Sequence, residues 1–219
     1  MSALRLAHRG DWRVAPENSL AAFAAALSNP RCDGLEFDVR TSADGVPVVI
    51  HDPTLGRVQG RDDAVAAITA AELLAAGVPT LADVLAVVPT TAFLDIEFKS
   101  PPAPSAGDII RAARGDDGER TVVSSFDPEV LRHFAMEGWP WPRWGNAPVI
   151  LPEIVELAVE LGCQGLALEW HAVDESALSA IRAAGLTLTA WTVRERETFD
   201  ALEALGVNAM CVEAEALDG

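Results

Sequence analysis

In the second half of the chain, helix-like runs close on Gly162, Gly185 and Gly206, and each glycine is followed within two or three residues by a strand-like run. Helix, glycine and strand recurring at a step of 21–23 residues is the pattern of βα units, and successive βα units build a parallel sheet. Strand patterns lie at 3–8, 33–40, 46–51, 92–98, 120–125, more weakly near 143–150, and at 165–169, 186–193 and 207–212. Helical patterns fill the gaps. Leu20, Phe23, Ala24 and Leu27 share one helical face, and Asp127-Pro128 caps a helix running to Gly138.

One connection breaks the alternation. Between 33–40 and 46–51 there is no room for the dozen or so residues that a parallel crossover needs, and Asp44-Gly45 is a hairpin signal. The segment 46–51 therefore folds back as an antiparallel arm. Eight strands remain, and eight βα units in 219 residues predict a single (β/α)8 barrel of the TIM type over residues 1–219, with an extra hairpin arm after the second strand. A doubly wound open sheet is the alternative, but no glycine-rich nucleotide loop follows the first strand.

The hairpin places side chains. With Asp44-Gly45 as a two-residue loop, Ala43 pairs with Val46 and Asp38 lies opposite His51. Glu36 and Asp38 are two apart and share a face. On 92–98 the device repeats, with Asp95, Glu97 and Lys99 alternating with Ile96 and Phe98. His8-Arg9-Gly10 ends the first strand. All of these fall near the C-terminal ends of strands, where barrels of this type carry their active sites. Taken singly, each cluster has a bland explanation: a solvated loop, a turn cap, or ion pairs to Arg5 or Arg40. Jointly the bland explanation must account for four charged clusters at one end of one sheet, and it fails.

Glu36, Asp38 and Glu97 repel one another unless a cation joins them, and an all-oxygen set suits Mg²⁺, Ca²⁺ or Mn²⁺. His8 and His51 flank that set, and two imidazoles can supply base and acid at neutral pH. Arg9 and Lys99 can hold an anion. A divalent metal, two histidines and two cations describe phosphoryl transfer on a phosphodiester.

The net charge of −17 disfavours nucleic acid and anionic membranes, so a phosphate site must be built locally. No apolar run approaches the ~20 residues that span a bilayer, and the N-terminus has no secretory pattern, so the expected location is cytoplasmic. Cys32, Cys163 and Cys211 are widely spaced and read as buried free thiols. A small-molecule substrate is expected, and a homodimer is allowed but not required.

The segments "AHRG", "APENSLAAF", "GLEFDVRTSADGVPVVIHDPTLGRV", "VPTLADVL", "LDIEFKS", "VVSSFDP" and "AWTV" together resemble the glycerophosphodiester phosphodiesterase family, in order and rough spacing from residue 7 to 193. The resemblance implies a barrel that hydrolyses glycerophosphodiesters, such as glycerophosphocholine or glycerophosphoethanolamine, to sn-glycerol 3-phosphate and an alcohol with a divalent metal. It puts His8 and His51 in the acid/base positions, Glu36, Asp38 and Glu97 in the metal positions, and Arg9 and Lys99 in the phosphate positions. Glu17 and Asn18 match the family's "PEN" piece and either cap the next helix or scaffold the site, with Glu17 grouped among the substrate- and phosphate-binding residues. Trp191 is expected to wall the substrate pocket.

The last third departs from the family pattern. Arg194 stands where Asn is usual, and Glu213 stands in for an Asp. The segment 138–148 carries Trp139, Trp141 and Trp144, which with Trp170 and Trp191 would make an aromatic cage for a choline-like cation; packing at the bottom of the barrel is the better expectation. His133 is expected on the surface; His171 follows a strand but is not counted among the site residues. Two other functions compete: a lysophospholipase D-like hydrolase, which would carry apolar loops at the mouth, and a non-catalytic barrel that binds phosphorylated ligands, which would have lost a histidine or a carboxylate.

Overall fold

The computed structural model describes residues 2–116 and 118–219. Among them nine strands form one sheet: β1 (Leu4–His8), β2 (Gly34–Thr41), β3 (Pro47–Val49), β4 (Phe93–Phe98), β5 (Thr121–Ser125), β6 (Arg143–Ala147), β7 (Gly165–Glu169), β8 (Thr187–Val193) and β9 (Ala209–Val212). The spatial order is β1-β9-β8-β7-β6-β5-β4-β2-β3, and β1 also pairs with β2. That second pairing closes eight parallel strands into a ring, with β3 left outside it. Helices join the ring strands and cover its outer face. The fold is the (β/α)8 barrel with a hairpin arm.

Glycines in the left-handed region turn helices into strands, as the repeat predicts. Gly162, Gly185 and Gly206 have φ of 66°, 75° and 103°, a region that costs a side-chain-bearing residue strain. The helix at Pro128–Met136 starts on its Asp127 cap, whose side chain accepts from the Glu129 amide.

Strand alternation separates two layers. Leu35, Phe37 and Val39 point outward into the helix layer, as do Leu94, Ile96 and Phe98, and all are fully buried. Their neighbours point into the barrel. At the bottom of the ring, Leu6, Val122, Trp144 and Ala209 fill the interior, with Trp144 stacked on Phe93 at 5.9 Å. Trp139 and Trp141 pack outside the ring instead. Trp139 stacks on Phe134 at 4.8 Å and meets Phe98 and Trp141 edge-on, while Trp141 donates its indole N–H to the Gly115 carbonyl. These three tryptophans are packing residues, and no five-tryptophan cage forms.

The arm lies where β1 runs out. β1 pairs with β2 only as far as His8↔Glu36. Beyond it the same edge of β2 is taken by β3, in the register Val39↔Val49, Arg40↔Val48 and Thr41↔Pro47. This corrects the pairing expected from a two-residue loop: Ile50, not His51, stands opposite Asp38, and its amide donates to the Asp38 carbonyl at 2.9 Å. The loop has three residues, Ala43 to Gly45. Ser42 closes it, its amide donating to Val46 O and its hydroxyl accepting from the Val46 amide, both at 3.0 Å. Gly45 takes the left-handed φ of 77° that such a loop requires. Among the described residues, no helix is long and apolar enough to cross a membrane.

Candidate active site

The C-terminal mouth of the barrel holds a pocket of about 150 Å³ lined by His8, Arg9, Glu36, His51, Asp95, Glu97, Lys99, Phe126, Asn146 and Trp191, among others. Most of these stand on or just after different ring strands; His51 comes from the arm. β3 ends at Val49, and the bend that follows carries His51 over the mouth. Its place in the site therefore survives a register slip that would have turned a strand residue to the other face.

Glu36, Asp38 and Glu97 each offer an oxygen within 4.8 Å of the others, and all three are buried. Among the described residues, neither Glu36 oxygen has a hydrogen-bond donor. An unpaired buried carboxylate is costly, and burial together with the charges of Asp38 and Glu97 drives the Glu36 carboxyl well above its ordinary range. Burial, then Asp38, pushes Glu97 up to about 7 against the pull of Lys99. Asp38 is different. Burial works against its charge, but Lys99 and Arg9 hold it far below the ordinary range. Lys99 Nζ lies 3.0 Å from Asp38 Oδ1 and also bonds Glu97, and Arg9 Nε lies 3.1 Å from Asp38 Oδ2. The orphaned oxygens of Glu36 and the all-oxygen donor set fit a hard divalent cation.

Each histidine is held by a carboxylate at Nδ1. The His8 nitrogen lies 2.6 Å from Glu213 Oε1, and the His51 nitrogen 2.6 Å from Asp52 Oδ1. Such a contact fixes the ring and leaves Nε2 for proton transfer. His8 Nε2 is 3.8 Å from Glu36 Oε2. Burial lowers the His51 pKa, against the opposite pull of Asp38 and Asp52. Both holding carboxylates are themselves gripped by arginines. Arg57 Nε donates to Asp52 Oδ2 at 2.7 Å and pulls its pKa down to about 2. Arg194 Nε donates to Glu213 Oε2 at 2.8 Å. The two departures from the family pattern, Arg194 and Glu213, are thus bonded to each other.

The remaining expected residues are placed as follows. Trp191 lines the pocket, meets Phe126 edge-on at 5.3 Å and donates its indole N–H to Ala167 O. Glu17 is not among the lining residues; it binds Arg9 Nη1 at 3.0 Å and Arg57 from behind. Asn18 scaffolds the site, donating from Nδ2 to Asp38 Oδ2 at 2.8 Å, while Ser19 caps the helix Leu20–Leu27. His171 is exposed, bonded to Glu169 and stacked on Trp170.

Sequence reasoning passed over Asp52, Arg57, Phe126 and Asn146, which sit in loops, on a short helix or on a strand without a charge pattern. Asp95, noted only as part of the alternation, lies in the pocket floor. It accepts from Ser124 Oγ at 2.6 Å, and burial pushes it up to about 7.

The profile of the Glycerophosphoryl diester phosphodiesterase family matches residues 8–214. The chain belongs to that family. The chain is similar to the glycerophosphodiester phosphodiesterase of Caldanaerobacter subterraneus subsp. tengcongensis, 29% identical over 232 residues that cover 97% of this chain and 95% of that one. The crystal structure of the Thermotoga maritima glycerophosphodiester phosphodiesterase superposes with a TM-score of 0.82 at 25% identity, covering 100% of this chain and 96% of that one. An Oleispira antarctica phosphodiesterase, solved in complex with the product sn-glycerol-3-phosphate, superposes with a TM-score of 0.80 at 26% identity, over 96% and 93% of the two chains. As a member of the glycerophosphoryl diester phosphodiesterase family, the chain is a phosphoric diester hydrolase.

Proposed function

We propose that this enzyme cleaves glycerophosphodiesters of small polar alcohols, glycerophosphocholine and glycerophosphoethanolamine among them, to sn-glycerol 3-phosphate and the free alcohol. The observation that carries this reading is the pair of imidazoles, each locked at Nδ1 by a carboxylate, at a pocket that also holds Arg9, Lys99 and three clustered carboxylates.

Glu36, Asp38 and Glu97 would hold a divalent cation, Mg²⁺, Ca²⁺ or Mn²⁺. Such an ion supplies Lewis-acid polarisation of the phosphoryl oxygens and offsets the negative charge of the site. Arg9 and Lys99 bind and orient the phosphate. One histidine takes the proton of the attacking oxygen at Nε2, and the other gives a proton to the departing alkoxide. The attacking oxygen belongs to water or to a neighbouring glycerol hydroxyl; the second route passes through a cyclic phosphate. Trp191 and Phe126 wall the glycerol or head group on one side.

The test is release of sn-glycerol 3-phosphate from glycerophosphocholine by the purified protein, with each cation or with chelator, beside His51→Ala. Metal-dependent release that is lost in the variant supports the reading. Absence of release from every small glycerophosphodiester tried defeats it.

A specific observation favours a second reading, hydrolysis of lysophospholipids. A cavity of about 210 Å³ shares Phe126 and Asn146 with the catalytic pocket and is otherwise lined largely by apolar side chains, among them Leu131, Ile154, Leu157 and Leu166. Lysophosphatidylcholine run beside glycerophosphocholine in the same assay separates the two.

A further inference from the structure

Arg57 lies on the short helix Gly56–Gln59, and its side chain is 48% exposed. It is not among the residues lining the catalytic pocket. Its guanidinium nevertheless grips two carboxylates at once. Nη1 and Nη2 donate to Glu17 Oε2 and Oε1 at 2.6 and 2.7 Å. Nε and Nη2 donate to Asp52 Oδ2 and Oδ1 at 2.7 and 3.2 Å. Each carboxylate then reaches one residue of the pocket. Asp52 Oδ1 accepts from His51 Nδ1 at 2.6 Å, and Glu17 Oε1 accepts from Arg9 Nη1 at 3.0 Å.

His51 and Arg9 stand on different pieces of the fold, the first leaving the arm and the second following β1. One planar fork therefore joins the arm to the β1 loop behind the pocket. Only a guanidinium offers enough donors in one plane for both carboxylates; an ammonium is a single point charge.

We infer that Arg57 is a positioning residue of this active site, fixing the His51 ring through Asp52 and the Arg9 guanidinium through Glu17. The inference rests on the reading that His51 handles a proton and Arg9 the phosphate. The bland alternative is a surface ion-pair cluster, which would contribute little to stability and nothing to rate.

The experiment compares the full-length wild type with Arg57→Gln, Arg57→Lys, Asp52→Asn and the double variant Arg57→Gln/Asp52→Asn. Two readouts are taken: steady-state glycerol 3-phosphate release from glycerophosphocholine, and the ring-nitrogen shifts of His51 in long-range ¹H–¹⁵N spectra, assigned with His51→Ala. Loss of an outer partner of this kind costs roughly 10–100-fold in activity. The expected result is a fall of that size in kcat for Arg57→Gln, with a several-fold rise in KM and a smaller loss for Arg57→Lys. The His51 nitrogens should move in Arg57→Gln. The double variant should be no slower than the slower single, because both changes act on one ring.

Wild-type kcat with unmoved His51 nitrogens in Arg57→Gln overturns the inference. So do losses that multiply in the double variant. If Arg57→Gln does not fold, Arg57→Lys decides by the same readouts. If the wild type releases no product, the functional reading fails, and the His51 spectra still decide whether Arg57 holds the ring.

Discussion

Glu213 holds the ring of His8: its Oε1 lies 2.6 Å from Nδ1, and its other oxygen accepts from Arg194. Burial works against the Glu213 charge, but the hydrogen bond and charge of His8, with Arg194, keep its carboxyl below the ordinary range. An ionised partner at Nδ1 selects the tautomer and stabilises the imidazolium. Glu213→Gln should therefore lower kcat toward the ~10²–10⁴-fold that a proton-transfer group contributes, with little change in KM. Arg194→Ala, which leaves the carboxylate in place, should cost less than about tenfold. Steady-state kinetics on the two variants check both.

Removing divalent metal should make stability fall with rising pH. Burial first, and the neighbouring acids after it, raise Asp95 from 3.8 and Glu97 from 4.5 to about 7. A carboxyl raised on folding binds more protons in the folded state than in the unfolded one. Its stabilising effect is complete while it is protonated and declines as pH climbs from the ordinary value through about 7. The melting temperature of chelator-treated protein should therefore drop between about pH 5 and pH 8. Added Mg²⁺ or Ca²⁺ should raise it more at the alkaline end. Calorimetry in matched buffers measures this, and a metal-free melting temperature that rises over the same range counts against it.

The wall formed by Phe126 and Trp191 should act on binding more than on chemistry. Phe126 is 43% exposed and sits edge-on to Trp191, with Lys99 Nζ 5.5 Å from its ring centre. Contacts of this kind are worth about 0.5–1.5 kcal/mol. Phe126→Ala should raise KM for glycerophosphocholine roughly 2–10-fold while kcat changes less. Initial-rate curves distinguish this from a catalytic loss.

Closure of the ring leaves no room at Gly34. A Cβ built there would stand 2.0 Å from the Phe93 carbonyl oxygen. Gly34→Ala must push β2 and β4 apart directly below Glu36 and Asp95, partners in the register of those strands. It should cost at least the ~1–3 kcal/mol of an overpacked core, read as a lower urea midpoint. Activity should fall further than the folded fraction.

The barrel was legible because its signals are local. Glycine stops, proline and aspartate caps, and alternation of apolar with polar residues each report on a few neighbouring positions. The Glu36–Asp38 and Glu97–Lys99 patterns also emerged this way, since alternation alone turns them inward. The hairpin register was not legible. Asp44-Gly45 fits both a two- and a three-residue loop, and the choice is made by the Ser42 hydroxyl and by the anchoring of Asp44 on the Ala70 amide. Asp52 and Arg57 were missed for a different reason. Arg57 takes its role from Asp52, 5 residues away, and Glu17, 40 residues away, and no periodicity marks such positions. Glu213 was noticed only as a departure from a family pattern. Its bond to Arg194, itself a departure, appears only once β8 and β9 lie side by side.

The arm has an interior of its own. Val48, Ile50, Leu55, Val65, Leu73 and Val78 pack into a cluster of their own, while Val49 of β3 joins the main core and β3 pairs with one ring strand only, along a single edge of β2. Local unfolding of such a unit can precede global unfolding. Because His51 leaves from the arm while Glu36, Asp38 and Glu97 stand on the ring, opening the arm would separate the imidazole from the carboxylates without breaching the barrel. On gentle heating the enzyme should lose turnover before it loses ellipticity, and recover it on cooling as the arm docks again. Operational lifetime would then be governed by the staying power of a short peripheral layer, and engineering for durability should begin there.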